Sequence, residues 1–146
     1  MAVTKGVFPC YENQFSVGNS GSEEADMPIA NCEEFSPSFD NGVEEWTAFG
    51  SEGWKSRLMT AKGMTSSVKG KRSLGDEGND LIAGLALANG TAAQLPFKWT
   101  FPDGSTLFMP NAVISVTANG SGAATNVGPL EFEVMSNGKP IYTPAL

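Results

Sequence analysis

Carboxylate pairs are the features of this sequence that could support catalysis. The pairs are Glu33-Glu34, Glu44-Glu45, and Glu131 with Glu133. Two carboxyl groups that line one cleft can act as acid and base, as in glycoside hydrolysis. Adjacent residues of a strand point to opposite faces, so the first two pairs are poor dyads, whereas Glu131 and Glu133 share a face. No nucleophile or metal ligand lies near them in sequence, which favours a solvated strand face over a catalytic pair.

Histidine is absent, and the only cysteines are Cys10 and Cys32. The absence of histidine excludes Ser-His-Asp triads, Cys-His dyads and histidine metal sites. The cysteines lack CxxC spacing, which leaves two interpretations. They are either reduced, mostly buried thiols or a disulfide that ties the N-terminus to the first strand. We therefore expect no enzyme activity, no cofactor and no metal.

Charges are dense between residues 69 and 80. Lys69, Lys71 and Arg72 could contact phosphate, but in a chain of net charge −7 a solvated loop, or a loop that pairs with an acidic patch on another subunit, is favoured. GDEGND resembles a calcium loop but lacks its ligand spacing. Acidic residues in a first helical turn are common, so this segment predicts a helix start.

Length and charge narrow the class of protein. The 146 residues, 40% of them hydrophobic, suit one domain with a real core. The excess of Asp and Glu disfavours ordinary nucleic-acid binding. MAVTKGVFPCYENQ has no apolar signal region, and LIAGLALA is too short to span a bilayer, so we expect synthesis in the cytoplasm without membrane insertion.

The residue pattern predicts a mainly β chain with one helix. Residues 1–26 are polar, glycine-rich and acidic, and predict an N-terminal arm that is flexible or ordered on a neighbouring subunit. Residues 27–146 form the predicted domain, in which alternation of apolar and polar residues indicates about four strands on each side of a helix near 76–89. Turns are expected at Asp40-Asn41-Gly42, at SEG after Gly50, and at Pro102-Asp103-Gly104, with Gly63 at a turn or bulge.

Aromatic residues are concentrated in VEEWTAFGSEGW. Trp46 and Phe49 fall on opposite strand parities, so they cannot both face one core. Aromatic side chains are enriched at protein interfaces. We therefore predict that Trp46, Phe49 and Trp54 contribute to contacts between subunits, together with Lys69, Lys71 and Arg72.

The order of these segments resembles the major tail tube proteins of tailed bacteriophages, especially the short single-domain type of long non-contractile tails. The resemblance covers about residues 27–140. Its most specific pieces are KGKRSLGDEGND before the helix, the FPDG hairpin, and LEFEV followed by NGKP. It implies an antiparallel β-sandwich or half-barrel with one packed helix, six copies closed into a ring, and rings stacked into a tube in the virion tail.

The resemblance also implies partners and a role for the carboxylates. Expected partners are further copies of this chain, a tape measure protein, and tail tip or baseplate and terminator proteins. Genomic DNA passes through the bore without specific binding, because a negative lining repels phosphate. Glu131 and Glu133 are the first candidates to line the bore, and Glu44 and Glu45 the second.

Two other classes remain open. A different β-sandwich virion module, such as a head decoration, tail terminator or adhesin domain, would not polymerise. An enzyme such as a retaining glycosidase would require a functional pair at Glu131 and Glu133, and an activity that is lost when both are changed to Gln.

Overall fold

The strands form one connected antiparallel sheet in the computed structural model, which describes residues 5–145. They are β1 (Gln14–Val17), β2 (Met27–Pro28), β3 (Cys32–Trp46), β4 (Ser56–Lys71), β5 (Gln94–Thr100), β6 (Thr106–Asn119), β7 (Pro129–Met135) and β8 (Ile141–Thr143). Their order is β2-β1-β5-β6-β7-β4-β3, and β8 pairs with β6. The predicted mainly β, antiparallel fold is confirmed.

The sheet folds back on itself through the long strand β6. The first half of β6 pairs with β5, and its second half pairs with β7. The two layers of this sandwich meet in one apolar core, where the ring centroids of Phe35 and Trp99 lie 5.3 Å apart and those of Phe15 and Phe35 lie 5.0 Å apart. Phe97 and Phe132, one from each layer, are almost fully buried in this core.

Strand β1 lies within the segment that the sequence predicts as an arm. It pairs with β5 from Gln14 to Val17, and the side chains of Phe15 and Val17 are buried in the core. Residues 14–17 of the predicted arm therefore belong to the sheet of their own chain, where Phe15 and Val17 anchor the strand. Ala25, in the loop before β2, is buried as well.

Strands β3 and β4 form one long hairpin, which replaces several predicted elements. Asp40, Asn41 and Gly42 are not a turn, because they pair with Gly63, Lys62 and Ala61 within an extended ladder. Gly63 marks neither a turn nor a bulge. The irregularity instead lies between Gly42 and Val43, where β4 carries one extra residue, Thr60, and the chain turns only between Trp46 and Ser56.

The helix α1 (Glu77–Ala83) begins where the sequence predicts and ends earlier. Asp76 caps it, because its side chain accepts a hydrogen bond from the Asn79 backbone N–H over 3.0 Å. Ile82 and Ala83 pack into the core. The predicted continuation to residue 89 is wrong, since tighter turns follow Ala83, such as the bond from Leu85 N to Ile82 O at 3.0 Å.

The turn predicted at Pro102-Asp103-Gly104 is present. Gly104 has a φ of 93°, and its N–H donates to Phe101 O over 3.0 Å. The Asp103 carboxylate accepts from the Ser105 hydroxyl and backbone N–H, and these bonds hold its pKa below its usual value. The turn joins β5 to β6 and so sets the register in which these two strands pair.

Candidate functional site

A polar face covers the side of β3, β4, β7 and the second half of β6 that points away from the core. Its positions follow from the ladder, because directly opposed residues share a face. Ser36, Ser67, Glu133 and Ser115 form one row across the four strands, next to the row of Glu34, Lys69, Glu131 and Ala118. We call this surface the acidic face.

The predicted bore-lining residues divide between the two sides of this layer. Glu131 and Glu133 lie on the acidic face, and both are half-buried by their neighbours. Glu44 lies on the same side as these two, opposite Leu58. Glu45 lies on the other side, where its carboxylate accepts from Arg57 Nε over 2.9 Å and from Lys55 Nζ over 3.4 Å. The structure therefore separates Glu45 from the other three candidates.

Two further carboxylates belong to the acidic face and were missed by sequence reasoning. Glu34 lies directly opposite Lys69, and Asp40 lies opposite Gly63. The alternation in EEFSPSFDNGVEE could have indicated both residues. It places residues 34, 36, 38, 40, 42 and 44 on one side of the strand, provided that the strand continues through Asn41-Gly42. Lys69 and Lys71 are the basic residues that the described ladder positions place on this face, and Lys71 lies at its edge, opposite Pro129.

The outer half of the β3–β4 hairpin extends beyond the rest of the sheet. Strand β7 pairs with β4 only from Thr65 to Lys71, so residues 40–46 and 56–63 pair only with each other. At about 3.3 Å per residue this distal hairpin is roughly 25 Å long. Val43, Trp46, Leu58 and Met59 are exposed along it. An isolated two-stranded ladder with apolar side chains on both faces needs a partner to bury them.

The tip of the hairpin, residues 47–55, presents two aromatic side chains to solvent. Phe49 is fully exposed and Trp54 is 78% exposed. The tip backbone is held by bonds from Ser51 N to Ala48 O at 3.2 Å and from Trp54 N to Ser51 O at 3.0 Å. Between the two aromatics, Glu52 adopts a left-handed conformation with a φ of 54°. Neither Trp46 nor Phe49 is buried in the core of its own chain.

The three basic candidates have different surroundings. Lys69 is exposed on the acidic face. Lys71 Nζ contacts Glu33 of the same chain at 2.9 Å. Arg72 is largely buried, and its guanidinium donates to Asn79 Oδ1 over 2.8 Å and to Asp80 Oδ1 over 2.7 Å. Arg72 thus has polar partners within its own chain, and its contact with a neighbouring subunit stays a prediction.

Asn79 organises the segment KGKRSLGDEGND. Its side chain is fully buried, and its Oδ1 accepts from Arg72 and from the Ser73 backbone N–H. Its Nδ2 donates to Ala30 O over 3.2 Å and to Lys71 O over 3.0 Å. The side-chain polar groups of Asn79 are all satisfied within the chain, and through them this segment joins the helix to β4 and to the loop before β3.

Both cysteines are free thiols, in agreement with the reduced alternative. Cys10 is exposed, contrary to the burial expected for it, and Cys32 is half-buried at the start of β3. Burial, and to a smaller extent the nearby Asp76 carboxylate, together raise the pKa of the Cys32 thiol to about 11.

Residues 5–145 contain no group of three or more His, Cys, Asp or Glu side chains placed to hold a metal ion. Within the same residues, no helix has the length and apolar composition needed to cross a membrane.

The fold matches solved structures of tail assemblies. A chain from the tail of an empty gene transfer agent particle with C6 symmetry has a TM-score of 0.76 at 16% identity, over 94% of this chain and all of that one. A chain of the native gene transfer agent virion has a TM-score of 0.73 at 17% identity, with the same coverage. A chain from the structure of the anti-feeding prophage cap, which terminates its tube, has a TM-score of 0.63 at 13% identity, over 99% of this chain and 95% of that one.

No protein-family model and no curated protein sequence matches the chain. The similarity to tail proteins therefore lies in the fold.

Proposed function

We propose that this chain is a structural virion protein whose copies close into hexameric rings and stack into a tail tube for DNA passage. The observation that carries the proposal is the fold match over the full length of a tail chain from a particle with C6 symmetry. The resemblance in sequence order points independently to the same class of protein.

The distal hairpin supports self-assembly. It exposes apolar side chains on both faces and ends in two solvent-exposed aromatics, a surface that a monomer would leave in water. Strand β3 is also a long edge strand, and a closed ring leaves no such edge unpaired. Trp46, Phe49 and Trp54 are therefore proposed to lie at contacts between copies.

The acidic face supports the role as a conduit. Glu34, Asp40, Glu44, Glu131 and Glu133 share this side of the layer with many small or hydroxyl-bearing residues. The opposing charges on the described ladder are Lys69 and Lys71, and Lys71 is paired with Glu33. A surface of this kind repels phosphate and offers few anchoring points to DNA. We propose that it lines the bore, with genomic DNA as a passing cargo and tape measure, tip or baseplate, and terminator proteins as partners.

A terminator that closes the end of a tube is the second candidate. It is favoured by the match to a tube-terminating cap, which covers nearly the whole of both chains. A terminator would form a single ring that does not stack on itself.

Native mass spectrometry and negative-stain electron microscopy of the purified protein test the proposal. A tube protein predicts masses at six times 15.3 kDa and hollow stacks that lengthen with concentration. Single rings at every concentration would favour the terminator. A monomer that also fails to add to purified tail tips would overturn both.

A further inference from the structure

A groove runs between the base of the distal hairpin and the layer of the sandwich that contains β5 and the first half of β6. Its volume is about 810 Å³. The hairpin forms one wall, and β5, β6 and the segment before β8 form the other. Both walls are mainly apolar and include Phe39, Met59, Trp99, Phe101, Leu107 and Pro140. Phe39 and Met59 are exposed here, so the groove leaves apolar surface in water.

The charged side chains along this groove are both basic. They are Lys62 and Lys139, and no Asp or Glu lines it. Lys62 Nζ donates to the amide oxygen of Asn41 over 3.4 Å and has no carboxylate partner among the residues that the structure describes. Lys139 takes part in no ion pair within residues 5–145. A ligand that fits this groove should therefore combine apolar bulk with negative charge.

The hairpin tip has this chemistry. Phe49 and Trp54 extend into solvent on either side of Glu52, and Glu52 also forms no ion pair within the described residues. The positive φ values of Glu52 and Gly53 turn the chain sharply between the two rings. An aromatic side chain can bury about 150–250 Å² on contact, so two of them suit a cavity of this size.

The tip cannot occupy the groove of its own chain. The groove is built partly from Met59 to Met64, and from Met59 the ladder of β3 and β4 continues away from the groove to Trp46 and Ser56. This paired stretch places the start of the tip about 10 Å beyond the near end of the groove, at about 3.3 Å per residue, and its pairing keeps the strands from folding back.

We propose that the hairpin tip of one copy docks in this groove of a second copy, with Phe49 and Trp54 against its aromatic wall and Glu52 beside Lys139. The inference rests on the proposed assembly and names the surfaces that make one of its contacts. The tip and the groove are different surfaces, so each copy can insert its tip into a second copy while its own groove holds the tip of a third. The same contact can therefore join many copies in series.

Photo-crosslinking tests the placement directly. Phe49 is replaced by p-benzoylphenylalanine, the assembled protein is irradiated, and crosslinked dimers are mapped by peptide mass spectrometry. The expected crosslinks join the tip to Met59–Met64, to residues 99–107 or to residues 138–140 of another copy. Crosslinks to any other surface, to an N-terminal segment, or to a different protein would overturn the inference.

A charge exchange tests the pairing. Glu52→Lys and Lys139→Glu should each raise the concentration needed for assembly about tenfold, and the double variant should recover most of that loss. Glu23→Lys, an exposed change outside both surfaces, should have little effect. If the wild-type protein assembles and the double variant behaves as the sum of the single ones, the tip–groove contact is wrong while the proposed function stands. If the wild-type protein does not assemble, both fail.

Discussion

Lys69 lies directly opposite Glu131, on neighbouring strands and on the sheet face that points away from the core. Glu34 flanks the same lysine on its other side. Lys69 is therefore flanked by a glutamate on each neighbouring strand, and these two negative charges reduce its attraction for phosphate. The acidic face thus keeps its negative character around Lys69.

Reversing charges on this face should change how DNA interacts with the tube and leave assembly intact. In the double variant Glu131→Lys and Glu133→Lys, tubes should form as before but retain a labelled DNA duplex, and DNA ejection from tails built of this variant should slow or stop. Lysines on a lining attract phosphate, and this attraction falls steeply with salt. DNA retention measured at several salt concentrations checks both points.

The matched control has the same net charge. Glu23→Lys with Glu77→Lys changes two exposed carboxylates outside the acidic face and should leave ejection and retention unchanged. Normal ejection from tails with lysine at both 131 and 133 would rule out these residues as a repelling lining.

Removing the amide of Asn79 should destabilise the fold. Asn79→Ala leaves the Ser73 N–H, the Ala30 and Lys71 carbonyls and part of the Arg72 guanidinium without partners in a buried setting. Since each unsatisfied buried group costs about 1–3 kcal/mol, we expect the free energy of unfolding to fall by roughly 3 kcal/mol or more. Urea denaturation measures this change. The exposed Asn89→Ala should shift the unfolding free energy by less than about 0.5 kcal/mol.

Helix α1 packs too closely on β2 to accept a side chain at Gly78. A Cβ added at this residue would clash with the backbone oxygen of Pro28, so Gly78→Ala must displace backbone. We expect a loss of about 1–3 kcal/mol in the free energy of unfolding. A Cβ added at Gly50 would meet open space, and the φ of this residue is not positive, so Gly50→Ala is the control and should keep the wild-type melting temperature. Equal melting temperatures for the two variants would contradict this packing.

The Cys32 thiol should make stability depend on alkaline pH. Its pKa is raised to about 11 in the folded chain, above the usual value of 9.0, so between these values the folded state keeps a proton that the unfolded state has lost. The contribution is complete below pH 9 and is lost as pH rises towards 11, by roughly 1–3 kcal/mol.

Urea denaturation between pH 8 and 11 checks the thiol by comparing the wild-type protein with Cys32→Ala. The variant should show a shallower loss of stability with rising pH. Cys10→Ala should follow the wild-type curve, because Cys10 is exposed. Identical pH profiles for wild type and Cys32→Ala would show that the thiol is not held protonated.

Local sequence patterns predicted the strands whose alternation is regular. LEFEVM forms β7 with Leu130, Phe132 and Val134 buried, and Asp76 starts the helix. The long hairpin was missed because Asp40-Asn41-Gly42 favours a turn locally, whereas pairing with residues 61–63 keeps it extended. Tertiary pairing thus overrides turn propensity at this position.

Features that depend on distant residues could not be predicted. Strand β1 is fixed by β5, some 80 residues later, and the groove combines residues from 37 to 140. The carboxylates at 131 and 133 could be assigned to one face because they lie two residues apart on one strand. Glu34 and Asp40 join them only through the register of β3 against β4.

Cryo-electron microscopy of the assembled protein is the decisive test of the proposed hexameric tube, because one reconstruction gives both the symmetry of the assembly and the orientation of the sheet. We expect hollow six-fold rings or tubes in which the acidic face, with Glu131 and Glu133, points to the central axis. An assembly without six-fold symmetry, or one in which this face points outward, would contradict it.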